Sequence, residues 1–563
     1  MGRSKPAFLI LVKTTLLVLL ATPLGAASIL GDEWENFLRE RVAFGGFVEN
    51  ATGLSVSHGD RHFNTSNRFI MNRFTIQPEL NAKFREDLKL FISWRFVKEP
   101  RYSAEAKSRK TCCASPLEPL DNTFYDEDSP KPWEMVWDYT PTDRLNVRWG
   151  RQFISWGETD GQRLLDLINP QDLTFSPPAA PNLFNLDETR IPSWGLRTLY
   201  TVPPGKDTVF EFFALPGFDE AKQRVDEIAP GNDIGPHRYG RWSPHPETRL
   251  VIDPPGPTGP FNAFGNLYAN PGGNPVVVPV ARRVLPDAGD NWKIGARITQ
   301  TLGTLNFGLG YIWGFNPQGS DMVFKPKGEG CIPPGVPPSC QIPGIPGPPR
   351  FTPKTVRLDL INDRTNIFAG HFNYVIALLK ATLRGEVAFY PDKPYNIAKF
   401  PGSAGPFPLK ASLHPKHPTA IVEKHTLRYA LGLDRTVFVP FLHPDDPLRT
   451  FNLSFQLFQS IIFDHEDGIH PFSTAEKINK VSSLLTFRVG TGYLGDTILP
   501  DVFVGYDPDG YWVANPAISY APPWNERIRL SLIGAFYGGH NKFKSLGFFD
   551  EKDSVFLKMR YQF

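Results

Sequence analysis

Residues 73–96 read RFTIQPELNAKFREDLKLFISWRF, and apolar side chains take nearly every second position on either side of a polar turn at residues 85–87. In the first half, Phe74, Ile76 and Phe84 share one face, and polar side chains occupy the other. Successive side chains of a β-strand point to opposite faces, so a period of two is typical of a strand with one apolar face. The stretch therefore predicts an antiparallel hairpin.

The same alternation recurs along most of the chain. A first strand is expected at Val42–Val48, and the total comes to about 16–18 strands of an all-β fold. The other strands are predicted at Trp133–Tyr139, Leu145–Phe153, Trp194–Val202, Val209–Leu215, Trp292–Ile298, Leu305–Phe315, Phe368–Ile376, Leu383–Phe389, Leu427–Leu433, Phe451–Leu457, Leu485–Val489, 498–506, 512–520, 528–536 and 555–563.

The connections between these strands alternate in length. Tight turns, such as residues 140–143 and 203–205, alternate with long segments. The long segments are 98–132, 155–193, 216–291, 316–365 and 391–424. A soluble β-sandwich also shows period-two strands, but short periplasmic turns and long extracellular loops are typical of a transmembrane antiparallel β-barrel. We predict such a barrel, with 155–193 and 216–291 as candidate constriction loops.

Both ends of the chain agree with export to a bacterial outer membrane. Residues 1–27 combine basic residues, a short apolar stretch and small residues before Ser28, which predicts a cleaved signal peptide. A short mature segment, 28–41, would precede a barrel at 42–563. The last strand alternates up to Tyr561 and Phe563, and it is similar to the carboxy-terminal signal read by the barrel assembly machinery.

Aromatic residues gather at the predicted strand ends. In outer-membrane barrels such rings form belts at the level of the lipid headgroups. The belt residues expected here are Trp133, Tyr139, Trp149, Trp194, Tyr200, Trp313, Tyr390, Tyr506, Trp512, Tyr520 and Tyr561.

Charge and cysteine content narrow the function classes. The chain has 60 basic and 58 acidic residues, and removing the signal peptide leaves it near neutral, which argues against nucleic acid as a partner. Cys331 and Cys340 are close enough in sequence to close a small disulfide loop, whereas a bond between the adjacent Cys112 and Cys113 would be strained. No haem attachment motif or metal-ligand spacing is present, so we expect no cofactor and no metal.

If the apolar strand faces meet lipid, the opposite faces line the lumen. That lining then carries 15 basic and six acidic residues, which predicts a preference for anionic solutes, although pairing with acidic loop residues would cancel part of the field. The principal basic candidates are Arg73, Lys89, Arg95, Arg148, Arg297, Arg384, Arg428, Arg527, Arg529 and Arg560. The six acidic residues are Glu79, Glu134, Asp138, Glu386, Asp434 and Asp501.

The segment GRQFISWGETDGQRLLDLINPQDL, residues 150–173, is similar to a segment of the bacterial family called domain of unknown function 1302. The resemblance implies an outer-membrane barrel, and the family has been linked to movement of lipids or other hydrophobic compounds. The motif residues are Gly150, Arg151, Gln152, Trp156, Gly157, Asn169 and Pro170. Thr159 or Asp160 could cap a short helix here, which would either fold into the pore or pack on the barrel rim.

The sequence favours a porin-like channel for a small-molecule solute, set in outer-membrane lipids. Two alternatives stay open: a transporter of lipid-like or hydrophobic compounds, and a barrel that sheathes a periplasmic or electron-transfer partner. An enzyme is not expected, because neither His371 nor His425 has a convincing serine or acid beside it in the pattern.

Overall fold

The structure is a computed structural model. It describes residues 39–56, 69–98, 132–157, 159, 161–171, 179–183, 188–205, 207–217, 277–284, 291–316, 323–330, 354–397, 416–417, 419, 421–470, 477–540 and 553–563. The predicted signal peptide and all four cysteines, including Cys331 and Cys340, lie outside the described residues, as does most of the segment 216–291.

Twenty-three strands are present in the described residues. They are β1 Val42–Ser55, β2 Phe69–Arg85, β3 Leu88–Ser93, β4 Phe96–Lys98, β5 Glu134–Thr142, β6 Leu145–Gln152, β7 Ser193–Thr201, β8 Thr208–Leu215, β9 Val277–Val284, β10 Lys293–Leu302, β11 Leu305–Phe315, β12 Val323–Gly330, β13 Lys354–Ile361, β14 Arg364–Ile376, β15 Ala381–Ile397, β16 Ile421–Phe438, β17 Thr450–Ile462, β18 Ile469–His470, β19 Val481–Gly490, β20 Ile498–Asp507, β21 Tyr511–Tyr520, β22 Ile528–Gly539 and β23 Ser554–Gln562.

Most of these strands form one closed antiparallel barrel. Each wall strand pairs with the next along the chain, and β1 pairs with β23, in a register that runs from Phe47 opposite Gln562 to Ser55 opposite Ser554. The fragments β3 and β4 both pair with β2 and form one interrupted wall strand, whereas the two-residue β18 adds to the edge of β15. The wall therefore has 18 strands, which confirms the predicted antiparallel barrel.

The outer face of the wall is apolar, as the alternation predicted. On β2, Phe74 and Ile76 are 44% and 45% exposed, whereas the intervening Arg73, Thr75 and Gln77 are buried inside the barrel. Apolar residues facing outward can be covered by lipid, so this band is the membrane-facing surface.

Two of the predicted belt residues do not face lipid. Trp133 is 6% exposed, and the guanidinium of Arg95 lies 4.5 Å from its ring centroid. Tyr390 is 1% exposed and belongs to an apolar cluster inside the barrel. Trp133 directly precedes β5, whereas Tyr390 lies within β15, which continues to Ile397, and both rings are buried instead of facing lipid at a strand end.

A second sheet of three strands, β9, β12 and β13, is not hydrogen-bonded into the barrel wall and was not predicted. Strand β13 pairs antiparallel with β12 and parallel with β9. Proline interrupts two of the three strands, at Pro279 and Pro326, which explains why they resemble loop in sequence. No helix in the described part of the chain is long and apolar enough to cross a membrane.

Candidate functional site

The described residues of the connection between β6 and β7, which are 153–157, 159, 161–171, 179–183 and 188–192, lie inside the barrel; we call them the lumen loop. Its first half places Trp156, Leu164, Leu165, Leu167 and Ile168 in one buried cluster with inward-facing wall residues. Those wall residues are Phe213, Leu215, Ile312, Ile367, Ala369, Ala388, Tyr390, Ala430 and Phe458, on β8, β11 and β14 to β17. Burial of each large apolar side chain contributes about 1.5–3 kcal/mol, so this half is packed on the wall as a core.

The second half of the lumen loop packs against a different part of the wall. Ala180 and Leu183 belong to a cluster with Met71, Phe503, Val513, Ile533 and Phe556, which lie on β2 and on β20 to β23. The backbone N–H of Asn182 donates to Asn515 Oδ1 at 3.0 Å, and its side chain donates to the Asn515 carbonyl at 2.8 Å. The loop therefore reaches from one part of the inner wall to another.

The predicted short helix after Thr159 is absent, because the described residues 161–171 form turns and bends. Wall side chains bind the backbone groups that a helix would pair internally. Glu386 of β15 accepts from the N–H groups of Thr159 (3.0 Å) and Leu165 (3.2 Å). Lys293 of β10 donates to the carbonyls of Leu167 (3.2 Å) and Ile168 (3.0 Å). Since buried backbone groups need partners, these two charged residues replace the helical hydrogen bonds.

The family motif residues tie the two ends of the lumen loop together. The Asn169 side chain accepts from the Ile154 N–H at 2.8 Å and donates to the carbonyls of Gln152 and Ile191. The Pro170 carbonyl accepts from the Ile191 N–H at 2.8 Å. Gln152 donates to the Gly195 carbonyl at 2.9 Å. These contacts hold the residues where the loop leaves β6 beside the residues where it returns to β7.

Two further motif residues shape the strand that leads into the loop. Gly150 has φ of +129°, and a Cβ there would collide with the Met135 carbonyl oxygen of the neighbouring strand, so glycine is required. Arg151 donates to the carbonyls of Pro192 (3.1 Å) and Pro132 (3.3 Å).

Trp156 and Gly157 seat the loop on the wall. The Trp156 ring packs edge-on against Phe213, with centroids 5.3 Å apart, and it rests on Gly310 of β11. A Cβ at Gly157 would lie 3.0 Å from the Asp166 N atom and 3.5 Å from Glu386 Oε1, so the backbone here runs close beside the carboxylate.

Four of the predicted lumen arginines lie in ion pairs with acids of the wall or the lumen loop: Arg148, Arg297, Arg384 and Arg560. Arg148 lies 3.4 Å from Asp138, Arg384 lies 2.5 Å from Asp434, and Arg297 lies 2.7 Å from Glu211. Arg560 lies 3.1 Å from Glu188 of the lumen loop. Arg95 donates to Gln77 at 2.7 Å and to the Glu188 carbonyl at 3.0 Å.

The other predicted basic residues occupy varied positions. Arg73 is buried on β2, and the Arg428 guanidinium lies 5.2 Å from the Tyr390 ring centroid. Lys89, Arg527 and Arg529 are exposed, with Arg527 in the turn between β21 and β22.

The sequence count of lumen charges missed two acids on the strands. Glu211 is 2% exposed and binds both Arg197 and Arg297, each at 2.6–2.7 Å. Glu49 is 4% exposed and lies 3.3 Å from Lys558 and 3.6 Å from Arg560. Apolar residues flank Glu211 on both faces of its strand, and Glu49 lies just beyond the first strand predicted at Val42–Val48, so the alternation placed neither acid in the lumen. The predicted count of fifteen basic and six acidic residues therefore left out both acids, and it also left out Arg197, which pairs with Glu211.

The expectation that His371 has no acid beside it was also wrong. The β14–β15 register puts Glu386 directly opposite His371. The Glu386 carboxylate accepts hydrogen bonds from loop amides, however, so its principal role is to hold the lumen loop.

A cavity of about 730 Å³ lies between the lumen loop and the inner face of β19 to β23. Its wall residues lie near the short turns, at the end of the barrel where β1 begins and β23 ends. Its charged lining consists of Arg163, Asp166, Glu188, Arg190, Arg488, Asp501, Arg529, Lys558 and Arg560. Six basic and three acidic side chains thus face one space. A second cavity, of about 520 Å³, shares Arg488 and Asp501 with it.

Within the described residues, no group of three or more histidine, cysteine, aspartate or glutamate side chains is placed to hold a metal ion. At the chain terminus, the Phe563 N–H donates to the Gly46 carbonyl at 3.0 Å, and Tyr561 faces outward with 39% exposure. Their role as an assembly signal stays a prediction.

A closed barrel with an apolar exterior and a charged, loop-filled interior is the structure of a bacterial outer-membrane β-barrel protein, and the cell outer membrane is its location. The family model described as Protein of unknown function (DUF1302) matches residues 26–563. The chain therefore belongs to that family, as the motif at residues 150–173 indicated.

Solved structures with a similar fold have low sequence identity to this chain. The Acinetobacter baumannii protein OccAB3 is 7% identical, with 93% of this chain and 99% of that chain covered and a TM-score of 0.43. The Pseudomonas aeruginosa outer membrane protein OpdK is 8% identical over 93% and 99%, with a TM-score of 0.41. The outer membrane channel DcaP of A. baumannii is 9% identical over 93% and 97%, with a TM-score of 0.34. No curated protein matches the sequence.

Proposed function

We propose that this protein is a porin-like channel that passes small, preferentially anionic solutes across the outer membrane, and that the lumen loop narrows its passage. A barrel of 18 strands is wide enough to leave an aqueous channel unless something fills it. The lumen loop packs on two parts of the inner wall and so takes up part of this width. Solutes would pass through the space that the loop leaves, which includes the 730 Å³ cavity.

The anion preference rests on one observation, the sharing of acids between arginines. Asp166 serves both Arg163 (2.8 Å) and Arg190 (2.6 Å), and Glu211 serves both Arg197 and Arg297. One carboxylate cannot neutralise two guanidinium groups, so the group of Glu211, Arg197 and Arg297 keeps about one positive charge.

The other pairs support a smaller field than a plain count of arginines would give. Arg148 with Asp138, Arg384 with Asp434 and Arg488 with Asp501 are one-to-one pairs. The remaining positive charge lies beside the narrowed space, where a low-dielectric wall strengthens its effect on ions.

Reversal potentials in planar bilayers under a KCl gradient test this proposal. We expect the purified protein to give a reversal potential of the sign for chloride over potassium. Selectivity should weaken as salt rises, because salt screens the fixed charges over a Debye length of about 10 Å at 0.1 M and about 3 Å at 1 M. A reversal potential that shows cation preference at low salt would contradict it.

A further inference from the structure

The cavity between the lumen loop and β19 to β23 has the size of a site for an organic molecule. Its volume of about 730 Å³ lies within the range of about 300–1,000 Å³ that is usual for pockets that enclose small organic ligands. A passage for bare ions has no need of such a space.

One end of the cavity presents two arginines side by side. Arg529 of β22 lies directly opposite Arg560 of β23 in the strand register. Glu188 and Glu49 both lie near Arg560, but Arg529 makes no side-chain hydrogen bond or ion pair within the described part of the chain. Like charges directly opposite each other on a sheet are destabilising, so an anionic group held between them would relieve a cost that the empty site carries.

Hydroxyl groups continue this polar region along the same wall. Ser519 and Ser531 lie opposite each other on β21 and β22, and their oxygens are 2.7 Å apart. Ser531 is two residues from Arg529, so both side chains face the cavity. A carboxylate beside Arg529 would thus find hydroxyl donors as well as a guanidinium.

The remaining lining is apolar and lies next to these donors. Leu499 of β20 and Ala517 of β21 contribute from the wall, and Pro181 and Leu183 contribute from the lumen loop. Leu499 pairs with Ser519 in the β20–β21 register, so the apolar and polar parts adjoin directly. The three acids in the cavity are already bound: Glu188 by Lys558 and Arg560, Asp501 by Arg488, and Asp166 by Arg163 and Arg190.

We propose that this cavity is a binding site for amphipathic organic anions, with the carboxylate at Arg529 and Ser531 and the hydrocarbon part between Leu499, Ala517 and Pro181. This rests on the proposed function, because it names the substrate class of that channel. It predicts that short-chain carboxylates bind more tightly as their apolar part lengthens.

Block of the chloride current by acetate and by hexanoate tests this inference. We expect the half-blocking concentration of hexanoate to be at least about tenfold lower than that of acetate, since each additional CH₂ buried against the apolar lining favours binding. Arg529→Gln should raise the hexanoate value about tenfold by removing a charged hydrogen-bond donor. Arg527→Gln is the control, because it removes the same charge from the adjacent turn, outside the cavity. It should leave the half-blocking concentration of hexanoate unchanged.

Leu499→Ser separates the apolar part of the site from the charged part. It should raise the half-blocking concentration of hexanoate several-fold and leave that of acetate unchanged, because only the longer chain reaches Leu499. Heat-modifiable migration on gels verifies that each variant forms a folded barrel.

Two results would overturn the inference: equal half-blocking concentrations for acetate and hexanoate in the wild type, or wild-type block in folded Arg529→Gln. Failure of the proposed function is a separate result, a cation-selective reversal potential in the same bilayers. An anion-selective channel that does not distinguish the two carboxylates would refute only the binding site.

Discussion

Glu386 is the single residue that the position of the lumen loop depends on most. Its carboxylate is 4% exposed, and it accepts from two backbone N–H groups that are separated by six positions in the loop. A buried charged acceptor of this kind contributes about 1.5–3 kcal/mol per hydrogen bond. Lys293 complements it, because it binds two carbonyls just beyond those amides.

Glu386→Gln should loosen the lumen loop. The amide that replaces the carboxylate keeps one oxygen acceptor but turns an NH₂ donor toward a backbone N–H group. The loop should therefore be held against the wall less strongly, by about 2 kcal/mol of free energy. We expect a larger single-channel conductance and more current noise. Glu79→Gln is the matched control, because Glu79 also faces the lumen but accepts from Gln77 at 2.7 Å. Wild-type conductance in Glu386→Gln would show that the carboxylate does not hold the loop.

At the scale of the residue, the alternation predicts which face of a strand a charged side chain lies on, but it does not predict which residue that side chain pairs with. Arg148, Arg297 and Arg384, which the alternation predicts on lumen faces, are each held by an acid on a neighbouring strand. Which carboxylate meets which guanidinium depends on the strand register, and a period of two does not fix the register of one strand against another. Glu211 was missed for a different reason, because apolar residues flank it on both faces of its strand.

At the scale of the element, the lumen loop depends on space that the wall leaves for it. Trp156 rests on Gly310, where a Cβ would come within 3.0 Å of the Trp156 ring and 2.9 Å of Arg297 Cβ. A side chain there would press the tryptophan away from the wall, toward the middle of the lumen.

Gly310→Val should therefore lower the single-channel conductance, the opposite direction from Glu386→Gln. Overpacking of this kind costs about 1–3 kcal/mol and moves the weaker partner, which here is the loop and not the sheet. Gly432→Val is the control, since Gly432 also faces the lumen. A Cβ added at Gly432 would have Gln456 Cγ as its nearest neighbour, at 3.3 Å, and the glutamine side chain can move aside. If both variants conduct as the wild type does, Trp156 is not seated as described.

A second element, the turn after β17, is joined to β16 by an ion pair outside the membrane. Hydrogen bonds from Lys424 and His417 lower the pKa of Glu466 from 4.5 to about 2. A carboxylate with a lowered pKa stabilises the folded turn fully above its ordinary pKa, and this contribution is lost as pH falls from about 4.5 toward 2.

Amide hydrogen exchange of residues 421–424 should accordingly quicken between pH 5 and pH 2.5, after correction for intrinsic rates. In Glu466→Gln the amides of residues 421–424 should exchange fast at both pH values, because the glutamine has no charge to bind Lys424. Asp464→Asn, in the same turn, should behave like the wild type. Exchange in the wild type that does not change with pH would contradict this role for Glu466.

The lumen loop also shows that an apolar pattern does not by itself determine the secondary structure of a segment. An apolar stripe at Leu164, Leu165, Leu167 and Ile168 is typical of a helix, and a helix was expected. The same residues are buried without one, because charged wall residues bind the backbone groups. A local pattern indicates that a segment is buried, but the partner that buries it is distant in sequence.

At the scale of the whole molecule, the barrel could be predicted almost completely. All eighteen wall strands lie where the alternation placed them, since each strand must turn an apolar face to lipid wherever it occurs. The interior could not be predicted in the same way, because lumen residues contact a loop and one another, and these contacts follow no period.

The central claim is that solutes of suitable size cross this barrel in an order set by positive charge in the lumen. Swelling of liposomes in gluconate, sorbitol and N-methylglucamine compares three six-carbon chains that differ mainly in charge. We expect gluconate to enter fastest, sorbitol more slowly and N-methylglucamine most slowly. The differences between the three swelling rates should shrink at high salt, because salt screens the fixed charges. N-methylglucamine entering as fast as gluconate, or no swelling in any of the three, would contradict it.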